Sequence, residues 1–280
     1  MIQELFHIGP IVISPFGVLL VLAFFSGYLQ LKRGMKLLGV GNEEDASTIL
    51  FAAGVGGILG AKVYYAILYG DWRLLFDRSG LVWYGGFIVA TAAVVWVIRR
   101  RKLPFWPLLD AATPALALGY GVGRIGCFLV GDDYGRPSDL PWAIAFPNGL
   151  PPTTAGYLRS EFALTIPPGV ADDQLLRVHP TQLYETALAF VLAWIGWRML
   201  RGSRGKQAGR TALVIFAGLA VERFLVEFVR AKDDRFLAGL TLAQAISLAM
   251  LVLLVALWVG RRRVWIRDAT PALADRVSSP

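Results

Sequence analysis

The stretch PIVISPFGVLLVLAFFSGYLQL, residues 10–31, contains no charged side chain. A transmembrane helix needs about 20 apolar residues to cross a hydrocarbon core about 30 Å thick, so this run is long enough to span a bilayer. The residues before it include Glu4 and no Lys or Arg, whereas a cleaved signal peptide begins with a basic segment. We therefore expect residues 10–31 to form an uncleaved membrane helix.

Apolar runs of this kind recur along the whole chain of 280 residues. Hydrophobic residues make up 56% of the chain and charged residues 17%, whereas soluble proteins average about 45–50% and about 25%. The same bias excludes disordered, collagen-like and coiled-coil chains. The sequence predicts an all-α integral membrane protein with about seven transmembrane helices, at residues 10–31, 46–69, 82–98, 104–130, 180–200, 211–230 and 237–260.

The 28 Lys and Arg residues are unevenly divided between the two sides of these spans. Seventeen of them follow the first, third, fifth and seventh spans, eight lie in the opposite loops and three lie within spans. Because cytoplasmic loops carry the excess of Lys and Arg, we expect the N-terminus outside and the C-terminus in the cytoplasm. The net charge of +8 is thus dispersed over short loops, so we do not expect nucleic-acid binding.

One connection is far longer than the others. Residues 131–178 include seven prolines and no sustained helical period, and structureless loops of this length are usually functional or disordered. We predict an irregular external cap between helices 4 and 5 rather than a passive connector, because it has four apolar anchors: Trp142, Phe146, Tyr157 and Phe162. The expected organisation is one membrane domain, with helices 1–4 in residues 1–130, the cap in 131–178, helices 5–7 in 179–260 and a loose, basic cytoplasmic tail in 261–280.

Ionisable side chains inside a span are costly unless they are paired or face water, so each marks a candidate functional site. The segment GVGRIGCFLVGDDYGRP, residues 121–137, places Arg124 among glycines at the outer end of the fourth span. Its match to G-x-G-x-x-G does not indicate a dinucleotide site, because it follows an apolar helix instead of a strand. A guanidinium fork suits phosphate, which we expect Arg124 to bind. The alternative is an arginine that snorkels outward or pairs with Asp132 or Asp133.

The single cysteine, Cys127, is expected to be a small buried residue rather than a nucleophile, because burial among apolar groups disfavours the thiolate. One cysteine also excludes an internal disulfide framework. With only His7 and His179 as further soft ligands, the chain has too few for a transition-metal cluster.

A second polar motif is RVHPTQLYE, residues 177–185. Pro180 suits the first turn of a helix, which places His179 at the positive end of the fifth span and favours a neutral imidazole. Thr181, Tyr184 and Glu185 share one helix face, and a glutamate at this depth needs a cation. The alternative is a helix-capping cluster of buried hydrogen bonds.

A third motif is ERFLVEFVR, residues 222–230, in the sixth span. Arg223, Glu227 and Arg230 fall on one helix face, where they would form an ion-pair stripe that joins helices. The functional interpretation is that Arg223 points into the same outer-leaflet cavity as Arg124. Two arginines that face one cavity would form a site for an anionic lipid headgroup.

Together these motifs resemble the prolipoprotein diacylglyceryl transferase family, and the similarity covers most of the chain. The matching positions are Gly123-Arg124, Gly131, Gly135-Arg136-Pro137, the cap pairs Pro141-Trp142 and Phe146-Pro147, the run from His179 to Glu185, Arg223, Val226-Glu227-Phe228 and Arg230. Arg124 matches the family's central phospholipid-binding arginine, and Arg223 matches its second essential arginine.

The resemblance implies an enzyme of the bacterial cytoplasmic (inner) membrane with its active site toward the outer leaflet. Such enzymes transfer the diacylglyceryl group of phosphatidylglycerol to the lipobox cysteine thiol of a prolipoprotein and release glycerol 1-phosphate. The implied partners are phosphatidylglycerol, the prolipoprotein signal-peptide region and the lipid bilayer, and no metal or soluble cofactor is implied. The substrate-binding residues expected from the resemblance are Arg124, Asp132, Gly135, Arg136, Tyr184, Glu185 and Glu227.

The proton-transfer residue departs from the family pattern. Tyr84 stands before Gly85-Gly86 where the family often has a histidine that has been proposed as the base, and a phenol with a pKa near 10 is a poor base at neutral pH. Tyr84 and His179 join Arg124 and Arg223 as candidate catalytic residues. Either His179 takes over as the base, or the arginines lower the pKa of the substrate thiol enough that no dedicated base is needed.

Two other functions compete with the transferase. A non-enzymatic phospholipid carrier or permease would use the same arginine cavity, although the chain lacks the internal repeat typical of transporters. A diverged paralogue with altered activity would explain the tyrosine at position 84. Release of glycerol phosphate from phosphatidylglycerol separates the transferase from a carrier.

Overall fold

The structure is a computed structural model that describes residues 4–9, 11–75, 82–203, 206–232 and 239–277. Within these ranges most of the chain is helical. Its elements are β1 (Phe6–Ile8), β2 (Ile11–Ile13), α1 (Pro15–Leu38), α2 (Glu43–Tyr69), a 3₁₀ turn (Trp72–Leu75), α3 (Trp83–Arg100), α4 (Phe105–Val130), α5 (Ala155–Ser160), α6 (Thr181–Ser203), α7 (Arg210–Val226) and α8 (Leu242–Val277).

Parts of the sequence predictions concern residues outside those ranges. They are residues 1–3 at the start of the first predicted segment, Pro10 at the start of the first span, residues 237–238 at the start of the seventh, residues 278–280 at the end of the predicted tail, and three loop arginines, Arg78, Arg204 and Arg235.

Five of the described helices are long and apolar enough to cross a membrane. These are α1, α2, α4, α6 and the part of α8 from Leu242 to Arg262. Large apolar side chains on them face outward, among them Phe51, Trp194 and Val252, and a surface of this kind suits lipid rather than water. The chain is therefore a multi-pass membrane protein.

The predicted count of seven spans is not confirmed. The two remaining long helices, α3 with 18 residues and α7 with 17, are not among the five. Both occupy the predicted positions of the third and sixth spans. Each packs along a longer neighbour, α3 on α2 and α7 on α6 and α8.

The first span begins later than predicted, because the chain forms a hairpin before it. Strands β1 and β2 pair antiparallel, and Gly9 in the turn between them has a φ of +58°, which favours glycine. Ser14 then caps α1 by accepting a hydrogen bond from the Gly17 backbone N–H. The prediction of an all-α chain with a helix from residue 10 therefore missed a short β-hairpin.

The pairs α1–α4, α2–α3 and α4–α6 run in opposite directions, whereas α4 and α7 run in the same direction. Glycines and alanines at the contacts allow the backbones to approach closely, as is usual between membrane helices. The pairs that approach each other are Phe16 with Gly126 and Gly34 with Ala111 for α1 and α4, Gly60 with Gly85 and Asp45 with Arg101 for α2 and α3, Gly121 with Phe190 and Gly196 with Pro114 for α4 and α6, and Gly218 with Leu192 for α6 and α7.

At one end of the bundle, a buried aspartate joins α4 to α7. Asp110, near the start of α4, accepts hydrogen bonds from the backbone N–H groups of Gly209 (2.6 Å) and Ala212 (2.8 Å). Arg261 of α8 donates to the Ala208 carbonyl (2.6 and 3.0 Å) and stacks on the Trp106 ring. We call this set the base joint. At the other end of the bundle, the end of α4, the start of α6 and the end of α7 lie together beneath the cap.

The cap is more ordered than the sequence suggested. It contains α5 and an apolar cluster of its own, whose buried members include Tyr134, Phe146 and Leu158. Phe146 and Phe162 do anchor it as predicted, but Trp142 and Tyr157 are exposed, so they are wrong as anchors. The segment folds because apolar residues at irregular spacing meet only in three dimensions.

The tail after the last span also differs from its prediction. The helix α8 continues from Leu242 to Val277, so residues 261–277 are helical rather than loose. The side chain of Trp265 is buried and donates to the Ala208 carbonyl (3.1 Å), which extends the base joint into this segment.

Candidate functional site

The candidate site forms where the end of α4, the start of α6 and the end of α7 meet the cap. Gly131 ends α4 in the left-handed conformation, which turns the chain sharply into Asp132 and Asp133. Thr181 and Gln182 in the first turn of α6 then donate to the backbone carbonyls of Asp133 (2.8 Å) and Asp132 (2.6 Å). These bonds fix the loop after α4 against α6.

Arg124 lies at the centre of this site and is only 7% exposed. One guanidinium nitrogen donates to Asp133 Oδ2 at 2.9 Å, and the other forms an ion pair with Glu185 Oε2. The first nitrogen also lies 3.6 Å from the sulfur of Cys127. The predicted alternative of pairing with Asp133 is therefore confirmed, and Glu185 has the cation that its depth requires.

Arg223 reaches the same glutamate from α7. Its Nη1 lies 3.8 Å from Glu185 Oε1, and its Nη2 lies 2.7 Å from Glu227 Oε2. Arg124 of α4 and Arg223 of α7 therefore lie together as expected, whereas the outer-leaflet cavity between them stays a prediction. They converge on a carboxylate that occupies the space between them.

Arg230 completes a chain of alternating charges. It pairs with Asp133 Oδ1 at 2.5 Å and lies 4.0 Å from Glu227. Burial raises the pKa of the Asp133 carboxyl, but Arg230 and Arg124 more than offset this, and that pKa lies below its ordinary value. The predicted ion-pair stripe of Arg223, Glu227 and Arg230 is present, and it extends through Asp133 to Arg124.

Among the residues described, the ion pairs of the site do not involve the Asp132 carboxyl, and substrate binding by Asp132 stays a prediction. The carboxylate that contacts the arginines belongs to Asp133, and the hydrogen bond to Asp132 reaches its backbone carbonyl. Burial, and then the neighbouring charge of Asp133, raise the pKa of the Asp132 carboxyl. The surroundings of the Asp132 carboxyl therefore disfavour its ionised form.

Gly135 and Arg136 both form hydrogen bonds to main-chain carbonyls. Gly135 donates to the His179 carbonyl (2.8 Å), and a Cβ on this glycine would lie 2.5 Å from the Val229 carbonyl. The Arg136 side chain donates to the carbonyls of Arg230 (3.1 Å) and Lys232 (2.9 Å). Together they connect the cap to the segment after α7 and so position Arg230.

His179 lies at the edge of the site, before the first turn of α6. Its Nδ1 is 3.3 Å from the hydroxyl of Tyr184, which accepts a hydrogen bond from the Trp142 indole at 2.7 Å. Burial lowers the pKa of His179, which favours the neutral imidazole that the sequence predicted from a different cause, the positive end of a helix. This group forms a polar cluster beside the arginines.

Tyr84 lies in the first turn of α3, in a different helix pair. The glycines that follow it pack against α2, where Gly85 meets Tyr64 and Gly60. The arginine contacts described above come instead from α4, α6, α7 and the cap. Tyr84 therefore belongs to the α2–α3 pair, whereas the described ion-pair partners of Arg124 come from α6 and the cap.

The sequence analysis missed two residues that contact this site. Tyr120 lies one turn before Arg124, and its hydroxyl is 3.1 Å from Glu185 Oε1 and 3.5 Å from Glu222 Oε1. Glu222 directly precedes Arg223 and is 4% exposed. The sequence could have indicated Glu222, because it is a charged residue within a predicted span. Nothing in the sequence around Tyr120 distinguishes it from other apolar-helix tyrosines.

Comparison with known proteins identifies the family. The family described as "Prolipoprotein diacylglyceryl transferase" matches residues 3–260, which is most of the chain. The chain belongs to the prolipoprotein diacylglyceryl transferase family. Its site therefore lies in a family defined by lipid transfer, and the resemblance seen in the sequence is confirmed.

Similar curated proteins are named phosphatidylglycerol–prolipoprotein diacylglyceryl transferase. One from Actinobacillus pleuropneumoniae serotype 3 is 31% identical over 278 residues, covering 92% of this chain and 94% of the relative. One from Geobacter sulfurreducens is 30% identical over 273 residues, covering 92% and 95%. One from Vibrio cholerae serotype O1 is 29% identical over 275 residues, covering 93% and 92%. The family's named members are thus bacterial transferases of similar length.

Proposed function

We propose that this chain transfers the diacylglyceryl group of phosphatidylglycerol to the lipobox cysteine thiol of a prolipoprotein, the first step of lipoprotein maturation. The bond between the glyceryl carbon and its phosphate oxygen breaks, and a bond from that carbon to sulfur forms. The thiol loses its proton, and glycerol 1-phosphate leaves. Membership of the family supports this activity, and the comparisons do not favour a non-enzymatic carrier.

The observation that carries the proposal is the approach of Arg124 and Arg223 to one buried carboxylate, that of Glu185. Two guanidinium groups from different helices meet at a point where an oxyanion is held. A phosphate diester presents the same kind of oxygen at the same charge, and arginine binds both in a forked geometry. We infer that the lipid phosphate takes the place of Glu185 between the arginines.

A second feature supports a ligand at Arg124. Its buried Nε has no hydrogen-bond acceptor among the residues described. A buried guanidinium N–H without an acceptor is costly, so a ligand that supplies one gains binding free energy. A phosphate oxygen is such an acceptor.

In this proposal the same two arginines also accelerate the transfer step. Negative charge grows on the phosphate as the carbon–oxygen bond breaks. Cations held in place by Asp133 and Glu227 stabilise that charge once the phosphate has replaced Glu185, and loss of one such donor typically costs about 10²–10³-fold in kcat. In this proposal Asp133 and Glu227 position the arginines, whereas Arg124 and Arg223 contact the phosphate.

Two routes remain for the thiol proton. His179, with its lowered pKa and its contact to Tyr184, is a neutral imidazole that accepts protons. The alternative is that three arginines lower the pKa of a nearby thiol without a dedicated base. We favour the arginines, because the described contacts of His179 and Tyr184 lie outside the ion-pair chain. Tyr84 then serves lipid or peptide binding rather than proton transfer.

The remaining expected binding residues have supporting roles in this proposal. Gly135 and Arg136 hold the cap against the segment that carries Arg230. Tyr184 orients His179 and Trp142 at the rim, where the peptide approaches. Asp132, whose carboxyl stays near the arginines, contacts the glycerol headgroup.

We further propose that all seven long helices span the bacterial inner membrane, with the cap and site toward the outer leaflet. The antiparallel packing of α1 with α4, α2 with α3 and α4 with α6 supports alternating spans. Basic residues of three helices, Lys36, Arg101 and Arg261, lie at the end opposite the cap, which the positive-inside rule assigns to the cytoplasm.

The experiment is an incubation of the purified chain with phosphatidylglycerol vesicles and a lipobox peptide. Thioether-linked diacylglyceryl peptide and glycerol phosphate should appear in equal amounts. Lipid movement between vesicles without glycerol phosphate would instead identify a carrier. Release of glycerol phosphate with a different acceptor would identify a paralogue with altered activity.

A further inference from the structure

Three buried oxygen atoms form a chain behind the arginines. The Tyr120 hydroxyl lies between Glu185 Oε1 at 3.1 Å and Glu222 Oε1 at 3.5 Å. Glu185 is 1% exposed and Glu222 4% exposed. The chain therefore joins the carboxylate that holds the arginines to a second carboxyl that the proposed mechanism does not use.

The number of protons in this chain follows from the chemistry of a phenol. A tyrosine hydroxyl has one proton and donates it to one acceptor only. The nearer acceptor is Glu185 at 3.1 Å, and the longer Glu222 contact at 3.5 Å becomes a hydrogen bond when the Glu222 carboxyl holds a proton and donates it to the tyrosine oxygen. A chain in which one of the two glutamates is a carboxylic acid therefore satisfies both contacts.

The charges around the two glutamates decide which one holds the proton. Glu185 contacts the guanidinium groups of Arg124 and Arg223, which stabilise it as a carboxylate. Among the described residues, Glu222 has no cation at ion-pair distance, and Arg124 and Arg223 act on it only from farther away. Because the arginines contact Glu185 directly, Glu222 is the costlier of the two to ionise, so it holds the proton while Glu185 is ionised.

We propose that this proton shifts from Glu222 through Tyr120 to Glu185 when an anionic phosphate arrives, which frees Arg124 and Arg223 to bind it. Tyr120 and Glu222 are then positioning residues that act through Glu185. The inference rests on the proposed function, because it assumes that the phosphate of the lipid binds these two arginines.

The shift conserves protons and charge. The carboxylic acid of Glu222 gives its proton to the Tyr120 oxygen while the Tyr120 hydroxyl gives its own proton to Glu185. Glu222 becomes a carboxylate that accepts a hydrogen bond from Tyr120, and Glu185 becomes neutral. A neutral Glu185 no longer attracts the guanidinium groups, so the phosphate replaces it. Departure of the product reverses the shift.

The variant Glu222→Gln separates this role from a structural one. A glutamine amide still donates a hydrogen bond to Tyr120 and carries no charge, but it cannot give up a proton. Glu185 then stays ionised on the arginines and competes with phosphate. We expect the apparent Kd and KM for phosphatidylglycerol to rise at least about fivefold, the lower end of coupling between linked equilibria. The kcat at saturating lipid should stay near that of the wild type.

A second variant tests the path independently. Tyr120→Phe removes the link, so it should raise the same two constants, and the double variant should be no weaker than either single one. Tyr134→Phe is the matched control, because that buried hydroxyl donates to the Pro151 carbonyl (2.8 Å) in the cap. Its lipid binding should match that of the wild type.

Kd is measured by displacement of a fluorescent phosphatidylglycerol in detergent micelles, and KM from glycerol phosphate release. Unchanged Kd in either folded variant, or independent effects that multiply in the double variant, would overturn the proton shift. If the wild type binds the lipid but transfers nothing to the peptide, the proposed function fails while the Kd values still decide the inference. Thermal melting of each variant shows that the measured chains are folded.

Discussion

The two ends of the α4–α7 pair each hold a buried acid and an arginine, but they use them differently. In the base joint, both oxygens of Asp110 accept backbone N–H groups, and Arg261 donates to a backbone carbonyl and stacks on Trp106. Beneath the cap, Arg124 pairs with the side chains of Asp133 and Glu185.

The difference lies in what can be exchanged. Backbone groups are covalently fixed and cannot leave Asp110 or Arg261, so the base joint is a permanent connection. Carboxylate side chains can turn away from Arg124 and be replaced by another anion. Buried ion pairs also contribute little net stability, because desolvation offsets their attraction. The exchangeable ion pairs beneath the cap therefore indicate a binding site, and the fixed backbone partners at the base joint indicate a structural connection.

The largest expected effect is on Arg124. Arg124→Ala removes the fork that holds the phosphate and should lower kcat/KM at least about 10³-fold, more than the loss of a single oxyanion donor. Arg124→Lys should also be poor, since a point charge replaces the fork. The measurement is glycerol phosphate release by chains confirmed to be in the membrane. A full rate from either variant would exclude the phosphate-binding role.

The matched arginine at the other end should behave in the opposite way. Arg261→Ala loses a charged hydrogen bond and a cation–π contact, so it should lower the free energy of unfolding by about 2–4 kcal/mol. Transfer per folded molecule should be unchanged, because the base joint is remote from the lipid phosphate. Thermal melting and activity are measured on the same sample. A loss of kcat without a loss of stability would remove the distinction between the two ends.

Asp110 should give a smaller effect of the same kind. Asp110→Asn leaves one oxygen acceptor for two backbone N–H groups, at a cost of about 1–2 kcal/mol for the donor that loses its partner. The melting temperature should fall and KM for phosphatidylglycerol should stay constant. A raised KM would show that the base joint reaches the lipid site.

The smallest effect is expected at His179. If the arginines lower the pKa of the substrate thiol, His179→Gln should keep near-normal turnover at neutral pH. Because burial lowers the pKa of His179, its folded state resists protonation, and stability falls as pH drops below the ordinary histidine value of about 6.5. The glutamine variant should lose this acid-side decline in melting experiments. A severe loss of turnover would instead identify His179 as the base.

The sequence predicted the long helices well, because an apolar run of membrane length has few other structures available. It missed the hairpin at Phe6–Ile13, whose strands of three residues are too short to show an alternating pattern. It also missed the helical tail, where Trp265 docks on the base joint and extends α8. Both errors concern segments whose structure depends on distant contacts.

The site shows the same limit. Glu185 was expected to find a cation because a buried glutamate requires one, and the structure supplies two. The sequence left open whether Asp132 or Asp133 pairs with Arg124, and the structure shows Asp133, where the left-handed turn decides which carboxyl faces the arginines. Tyr120 has no distinguishing neighbours in the sequence, and only packing of α4 on α6 and α7 shows its role.

The most direct test is a structure of the chain with phosphatidylglycerol bound. Phosphate oxygens should lie about 2.7–2.9 Å from the guanidinium nitrogens of both Arg124 and Arg223, the usual range for charge-assisted bonds. Glu185 should have moved off at least one of them. A phosphate bound elsewhere, with both arginines still on Glu185, would contradict the exchange of one anion for the other.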